Sequence, residues 1–163
     1  MVAQKRILIQ PPFTTWFFYE HDCNICRYVL SHVMEQLQAE GWIDIRLIDI
    51  NSNKGSPETY WFYTEYTEKK WGGDATTPTI RVIDRYWQDG RIREDPVNVF
   101  HLWDTDKGDF VTEEDVGKTE MLRKQIIESV NNYRRKCFNN FHDLKRKSTL
   151  MLPRRNGLLA GSF

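Results

Sequence analysis

Phe17-Phe18-Tyr19-Glu20-His21-Asp22-Cys23-Asn24-Ile25-Cys26-Arg27 joins two kinds of local structure. Its aromatic start continues Thr14-Thr15-Trp16, and this β-branched and aromatic run reads as a buried central strand. The residues after it repeat at helical spacing. Cys26, Leu30, Val33 and Leu37 share one apolar face, which turns Cys26 toward the core. Cys23 lies one turn earlier, at the helix start. There the free backbone N–H groups and the positive end of the helix dipole favour a thiolate. One exposed, activatable thiol beside one shielded partner is the arrangement that disulfide exchange requires.

Working outward, the helix runs from about Asn24 to Glu40 and stops at Gly41. Trp42 to Ile50 then alternates, with Ile43, Ile45 and Leu47 on one side, as a half-buried strand does. Strand, helix and strand in this compass form a βαβ unit, so the two strands are expected to be parallel. Upstream, Lys5 to Gln10 reads as a short strand ended by Pro11-Pro12, because proline cannot donate to a ladder. Downstream of the Asn51–Gly55 loop, Ser56-Pro57-Glu58 is a helix start: a cap, a proline in the first turn and an acid facing the dipole. That helix carries Tyr60, Trp61, Phe62, Tyr63 and Tyr66 and ends near Trp71-Gly72-Gly73. Four consecutive aromatics cannot all face one core, so extra packing or a substrate-facing rim is expected of some.

Thr79 to Arg85 reads as a third strand, with a turn at Asp89-Gly90. The return strand after that turn and the stretch Val97 to Trp103 both qualify as an antiparallel fourth strand. Asp104-x-Asp106 with Gly108 and Asp109 lacks the closing glutamate of a calcium loop and reads as a plain turn. Thr112-Glu113-Glu114-Asp115 is a capping box. The last helix starts there, or at Thr119 if Gly117 breaks it, and runs to about Cys137. Its buried stripe is Leu122, Ile126, Val130, Tyr133 and Cys137, which makes Cys137 a structural cysteine.

Strand, Cys-x-x-Cys and helix, followed by Thr76-Thr77-Pro78-Thr79 and the strand Ile80-Arg81-Val82-Ile83, resembles the thioredoxin superfamily, nearer to glutaredoxins than to thioredoxins proper. The resemblance covers roughly residues 13 to 137 as an order of elements. It implies an α/β, thioredoxin-like fold with a central mixed sheet flanked by helices. The expected domain is 1–137, with an insertion at about 84–117 and a basic extension at 138–163. It further implies a cis Pro78 facing the dithiol, and a groove in which substrate backbone pairs with Thr76-Thr77. Cys23 would attack a substrate disulfide and Cys26 would resolve the mixed disulfide. Thr76, Thr77, Pro78 and Arg27 are the expected substrate-binding residues. No cofactor is expected; glutathione is a candidate co-substrate, and glutathione or protein mixed disulfides are the candidate substrates.

Two features depart from the family pattern. Asn24-Ile25 stands where a proline is common between the cysteines, so the resemblance carries no reduction potential with it. The Gly-Gly-acid sequence that glutaredoxins place after the fourth strand is missing; Gly117 stands alone, and Gly72-Gly73 lies before the proline instead. Around the dithiol, Arg27 and a protonated His21 favour the thiolate, whereas Glu20 and Asp22 oppose it, so only modest activation is expected.

The chain has 163 residues, enough for one domain with an appendage. Six Trp, seven Tyr and nine Phe supply a large aromatic core. No apolar run is long enough to span a bilayer, and the apolar segment near Met1 is too short for a secretory signal. Three cysteines with one close pair do not form a secreted disulfide framework, so a reducing, cytoplasmic location is expected. Zinc is not expected, because no second Cys-x-x-Cys and no suitably spaced histidine completes a four-ligand site.

Formal charge is zero but unevenly spread. Residues 118–163 hold eleven Lys/Arg against three Asp/Glu, and residues 1–117 hold twelve against twenty. Within 138–163 the clusters Lys145-Arg146-Lys147 and Arg154-Arg155 are separated by the apolar anchor Leu150-Met151-Leu152-Pro153. That layout suits docking on a protein surface better than binding nucleic acid. It also supports a second expectation, in which the chain is a structural component of a larger assembly, for example a phage particle, built on the same fold.

Overall fold

Thirteen residues, Ile7–Tyr19, form the strand β1 on which the sheet is built. The computed structural model describes residues 6–52, 54–69, 77–101 and 113–151, with side-chain surroundings omitted for 7–12 and 138–151. The expectations for Thr76, Gly72-Gly73, the Asp104–Asp109 turn, Thr112 as a cap and the side chains of the basic extension lie outside that description.

β1 pairs in parallel with β2 (Asp44–Asp49), from Thr14↔Asp44 to Tyr19↔Asp49. On its other side it pairs antiparallel with β3 (Thr79–Gln88). β3 turns into the antiparallel β4 (Arg91–Phe100), which closes a four-stranded mixed sheet in the order β2-β1-β3-β4. The chain is thus an α/β protein with helices packed on this sheet.

Three departures from the sequence reading have local causes. Pro11-Pro12 does not end a strand: β1 runs through it, and the β1–β3 register shifts between Leu8 and Phe13, the stretch that contains both prolines. Proline's fixed φ suits an extended backbone, and the irregular pairing spares the missing N–H groups. The return strand after the turn and Val97–Phe100 belong to one strand, β4. Its Pro96 is tolerated because β4 is an edge and the register shifts there, between Val82 and Ile83 on the partner. The last helix starts at Glu113, passes through Gly117 and continues beyond Cys137 to Met151.

Several turns follow their sequence signals. Asp89 and Gly90 both take positive φ (56° and 73°), the type I′ geometry that matches strand twist in a two-residue hairpin. Gly41 takes φ 82° after the first helix. Its N–H donates to the Gln38 carbonyl and the Trp42 N–H to the Leu37 carbonyl, both at 3.0 Å, which closes the helix in a Schellman motif. Ser56 caps the second helix by accepting the Thr59 N–H at 3.2 Å.

The first helix, α1, covers residues 24–39. It is α-helical over Asn24–Val29 and Glu35–Ala39 and widens to a π-helix over Leu30–Met34. The second, α2, covers residues 57–68 and is of π type over Trp61–Glu68. The third, α3, is Glu113–Met151. Phe13 and Phe17 of β1 pack with Ile25, Cys26, Val29 and Leu37 of α1 and with Leu122, Ile126 and Val130 of α3. Trp16 and Phe18 point to the opposite face, where they meet Phe62 and Tyr66 of α2 and Ile83 of β3. The aromatics of α2 divide as their number requires: Phe62 is buried, Trp61 and Tyr63 are half-buried against the core, and Tyr60 is exposed. At the end of the sheet away from the cysteines, Tyr86 and Tyr133 both donate to Asp95 (2.9 and 3.3 Å), tying α3 to the hairpin.

Candidate functional site

The carboxyl ends of the two parallel strands, the start of β3 and the start of α1 meet at one end of the sheet. Parallel strands leave their carboxyl ends open at the point where the chain leaves in different directions, and such crevices are where α/β proteins bind ligands. Cys23 and Cys26 sit here and are joined as a disulfide, with Cα atoms 5.2 Å apart.

Cys23 is the N-cap of α1. Its backbone is extended (φ −93°, ψ 99°) and its Sγ accepts the Cys26 N–H at 3.1 Å. A sulfur in that position receives a helix-terminal N–H that has no partner within the helix, and a thiolate accepts such a bond better than a thiol does. Cys26 lies within the first turn and is 2% exposed, packed in the core, whereas Cys23 is only half-buried. The pair therefore has the asymmetry read from the helix phase.

The turn Glu20–Cys23 is held from three sides. The Cys23 N–H donates to the Glu20 carbonyl at 3.3 Å. Arg27 donates to the His21 carbonyl at 2.6 Å and to Asn24 Oδ1 at 3.4 Å, so its guanidinium braces the turn. Thr77 Oγ1 donates to Glu20 Oε2 at 3.3 Å, and this bond brings the Thr77-Pro78 segment to the dithiol turn. The Thr77–Pro78 peptide is cis, and both residues are buried.

One pairing was not read from the sequence. His21 Nε2 lies 2.7 Å from Asp49 Oδ2, at the carboxyl end of β2. Asp49 is 5% exposed, accepts the Ser52 hydroxyl at 2.6 Å and the Asn51 N–H at 2.9 Å, and these bonds, with His21, hold its carboxyl below the usual range. The signal was present in the pattern. A parallel β1–β2 register sets Asp49 opposite Tyr19, one step before the dithiol turn. From α2, the Tyr63 hydroxyl donates to the Ile50 carbonyl at 3.3 Å; burial and the charges of Glu20 and Asp49 push its pKa up.

A cavity of about 210 Å³ opens beside the disulfide, with Phe17, Leu30 and Leu47 as apolar walls and Glu20, His21, Cys26 and Arg27 among its lining. It is smaller than the usual range for small-molecule sites, about 300–1,000 Å³. Arg27 and Thr77 thus reach the cysteine turn, and Thr76 falls outside the described residues. Cys137 is a free, half-buried cysteine on α3. Among the described residues, no group of three or more His, Cys, Asp or Glu side chains is placed to hold a metal ion, and no helix is long and apolar enough to cross a membrane. No family model, curated protein or solved structure matches the chain.

Proposed function

We propose that this chain is a thiol–disulfide oxidoreductase with a thioredoxin-like fold, nearer to the glutaredoxins, that reduces or exchanges protein or glutathione mixed disulfides. The observation that carries this reading is the disulfide between a half-buried Cys23 capping α1 and a buried Cys26 one turn on. The sheet order β2-β1-β3-β4, with α1 and α3 on one face and α2 on the other, is compatible with that fold.

In this reading the reduced protein presents Cys23 as thiolate, stabilised by the Cys26 N–H. Its Sγ attacks one sulfur of the substrate disulfide. A mixed disulfide forms and the other substrate sulfur leaves as a thiolate. Cys26 Sγ, having lost its proton, then attacks Cys23 Sγ and expels the second substrate thiolate, which leaves the Cys23–Cys26 disulfide. Two electrons pass from the dithiol to the substrate, and an external thiol or dithiol such as glutathione restores the reduced form. In this reading Thr76, Thr77 and Pro78 would offer backbone to the substrate, and Arg27, which braces the turn, would meet a substrate carboxylate. Such a reductase belongs in a reducing cytoplasm.

Cys26→Ser tests this directly. Cut off from resolution, the variant is expected to accumulate a mixed disulfide on Cys23 with oxidised glutathione or a disulfide peptide, seen by intact-mass measurement as one adduct per chain. Absence of the adduct at Cys23 in reduced protein would remove the reading.

A second reading, in which the chain docks into a larger assembly through residues 138–163, draws on one observation. α3 continues to Met151, well past Val130 and Tyr133, the last of its core residues among those described. The exposed Arg134-Arg135-Lys136 run lies on that same helix. The two readings are compatible.

A further inference from the structure

We propose that His21, held by Asp49, is the base that takes the proton from the buried Cys26 thiol in the resolving step. The proposal rests on the oxidoreductase reading and assigns a residue that reading leaves open. Only a thiolate attacks a disulfide, and burial in apolar surroundings disfavours the thiolate. Cys26 is 2% exposed among Phe17, Ile25 and Val29, none of which can accept a proton. The cavity of about 210 Å³ provides the route outward, since Cys26 and His21 both line it. It has room for water, so transfer can run directly or through one water molecule.

His21 is prepared for that task by geometry. Its Nε2 donates to Asp49 Oδ2 at 2.7 Å, and Asp49 is itself fixed by Ser52 and Asn51. With Nε2–H committed to the carboxylate, the neutral ring takes up a proton at Nδ1. The His21 side chain is 72% exposed, so a proton received there passes to solvent or to the leaving thiolate. The other charged or titratable groups around it serve less well. Arg27, from α1, has no acceptor. Asp22, on the same turn, is not among the residues that line the cavity. Glu20 is engaged by Thr77, and Tyr63, from α2, is pushed toward higher pKa. The Tyr19 ring meets His21 edge-on at 5.8 Å and orients it.

His21 Nδ1 takes the proton from Cys26 Sγ in the mixed disulfide. Cys26 Sγ attacks Cys23 Sγ, the Cys23–substrate bond breaks, and the substrate sulfur departs with the electron pair. It collects its proton from the imidazolium or from water. Asp49 is a positioning residue: it sets the tautomer and faces the charge that forms.

The test uses reduced protein in a Cys137→Ser background and dithiobis(nitrobenzoate), whose two coloured thiolates report attack and resolution as separate phases. His21→Gln is expected to slow the second phase about 10²-fold, the lower end of general-base effects, and the first phase, where His21 contributes only modest thiolate activation, far less. The sigmoidal pH dependence of the second phase in the parent should vanish in His21→Gln. Imidazole added to His21→Ala should restore rate in proportion to its basic form. Asp49→Asn should slow the second phase without changing the first. A second phase of parental rate and pH profile in His21→Gln would overturn the proposal and leave the oxidoreductase reading standing, as would loss of the sigmoid in Glu20→Gln but not in His21→Gln. Failure of the parent to give a first phase from Cys23 would remove both.

Discussion

Replacing Cys23 by serine is expected to lower turnover of insulin or of a glutathione mixed disulfide by roughly 10³-fold or more, to the uncatalysed rate. A serine hydroxyl is far from ionised near neutral pH, so the Cys26 N–H that meets Cys23 Sγ at 3.1 Å would have no anion to stabilise. Cys26 cannot substitute for it, being buried within the first turn of α1. Cys137 is a half-buried cysteine on α3 and not on the dithiol turn. Cys26→Ser should behave differently, losing dithiol turnover and keeping monothiol reactions, because the half-buried Cys23 sulfur is intact. Steady-state rates of wild type, Cys23→Ser and Cys26→Ser in one coupled assay check this. Equal turnover by wild type and Cys23→Ser would make the assembly role the leading account.

The second large effect falls on stability. Phe18→Ala should lower the free energy of unfolding by about 3–5 kcal/mol, the range for truncating a buried aromatic. Phe18 is fully buried in the second core face. Its ring stacks on Phe62 at 4.8 Å and on Trp61 at 5.6 Å, so truncation removes apolar burial and two ring contacts at once. It also unlocks α2 from the strand that carries the dithiol turn. Leu47→Ala on β2 is the matched control, since Leu47 is 51% exposed, and it should cost less than about 1 kcal/mol. Urea titrations of the two variants and the parent measure both values. A loss below about 1 kcal/mol for Phe18→Ala would mean that β1 is not the central strand of the core.

Much of this was legible because the signals were local. Cys23 at a helix start, Gly41 at a helix end, Ser56-Pro57 at a helix start and Asp89-Gly90 at a hairpin each fix a backbone geometry through their own side chains or their lack of one. The alternation of Phe17 and Phe18 between two cores likewise follows from the period of a strand. What escaped was decided by neighbours. Pro11-Pro12 reads as a stop, yet the shifted pairing with β3 lets the strand pass. Pro96 divides β4 in the sequence, but an edge strand has a side that needs no donor. The exit of α3 past Cys137 carries no breaker such as Gly or Pro, so the end of its apolar stripe did not coincide with the end of the helix. The His21–Asp49 pair joins residues 28 positions apart, and it becomes visible only once β1 and β2 are set in register.

The central claim is that the Cys23–Cys26 bond is a working redox couple and not a structural staple. Equilibrating the full chain in glutathione or dithiol buffers of graded potential, trapping free thiols by alkylation and counting them by mass measures this directly. The account predicts a single two-electron transition of Cys23 and Cys26 between roughly −280 and −120 mV, the span of disulfide-exchange proteins, with the fold retained on both sides. A pair that stays oxidised below about −300 mV, or whose reduction unfolds the chain, would be a structural disulfide and would contradict the account.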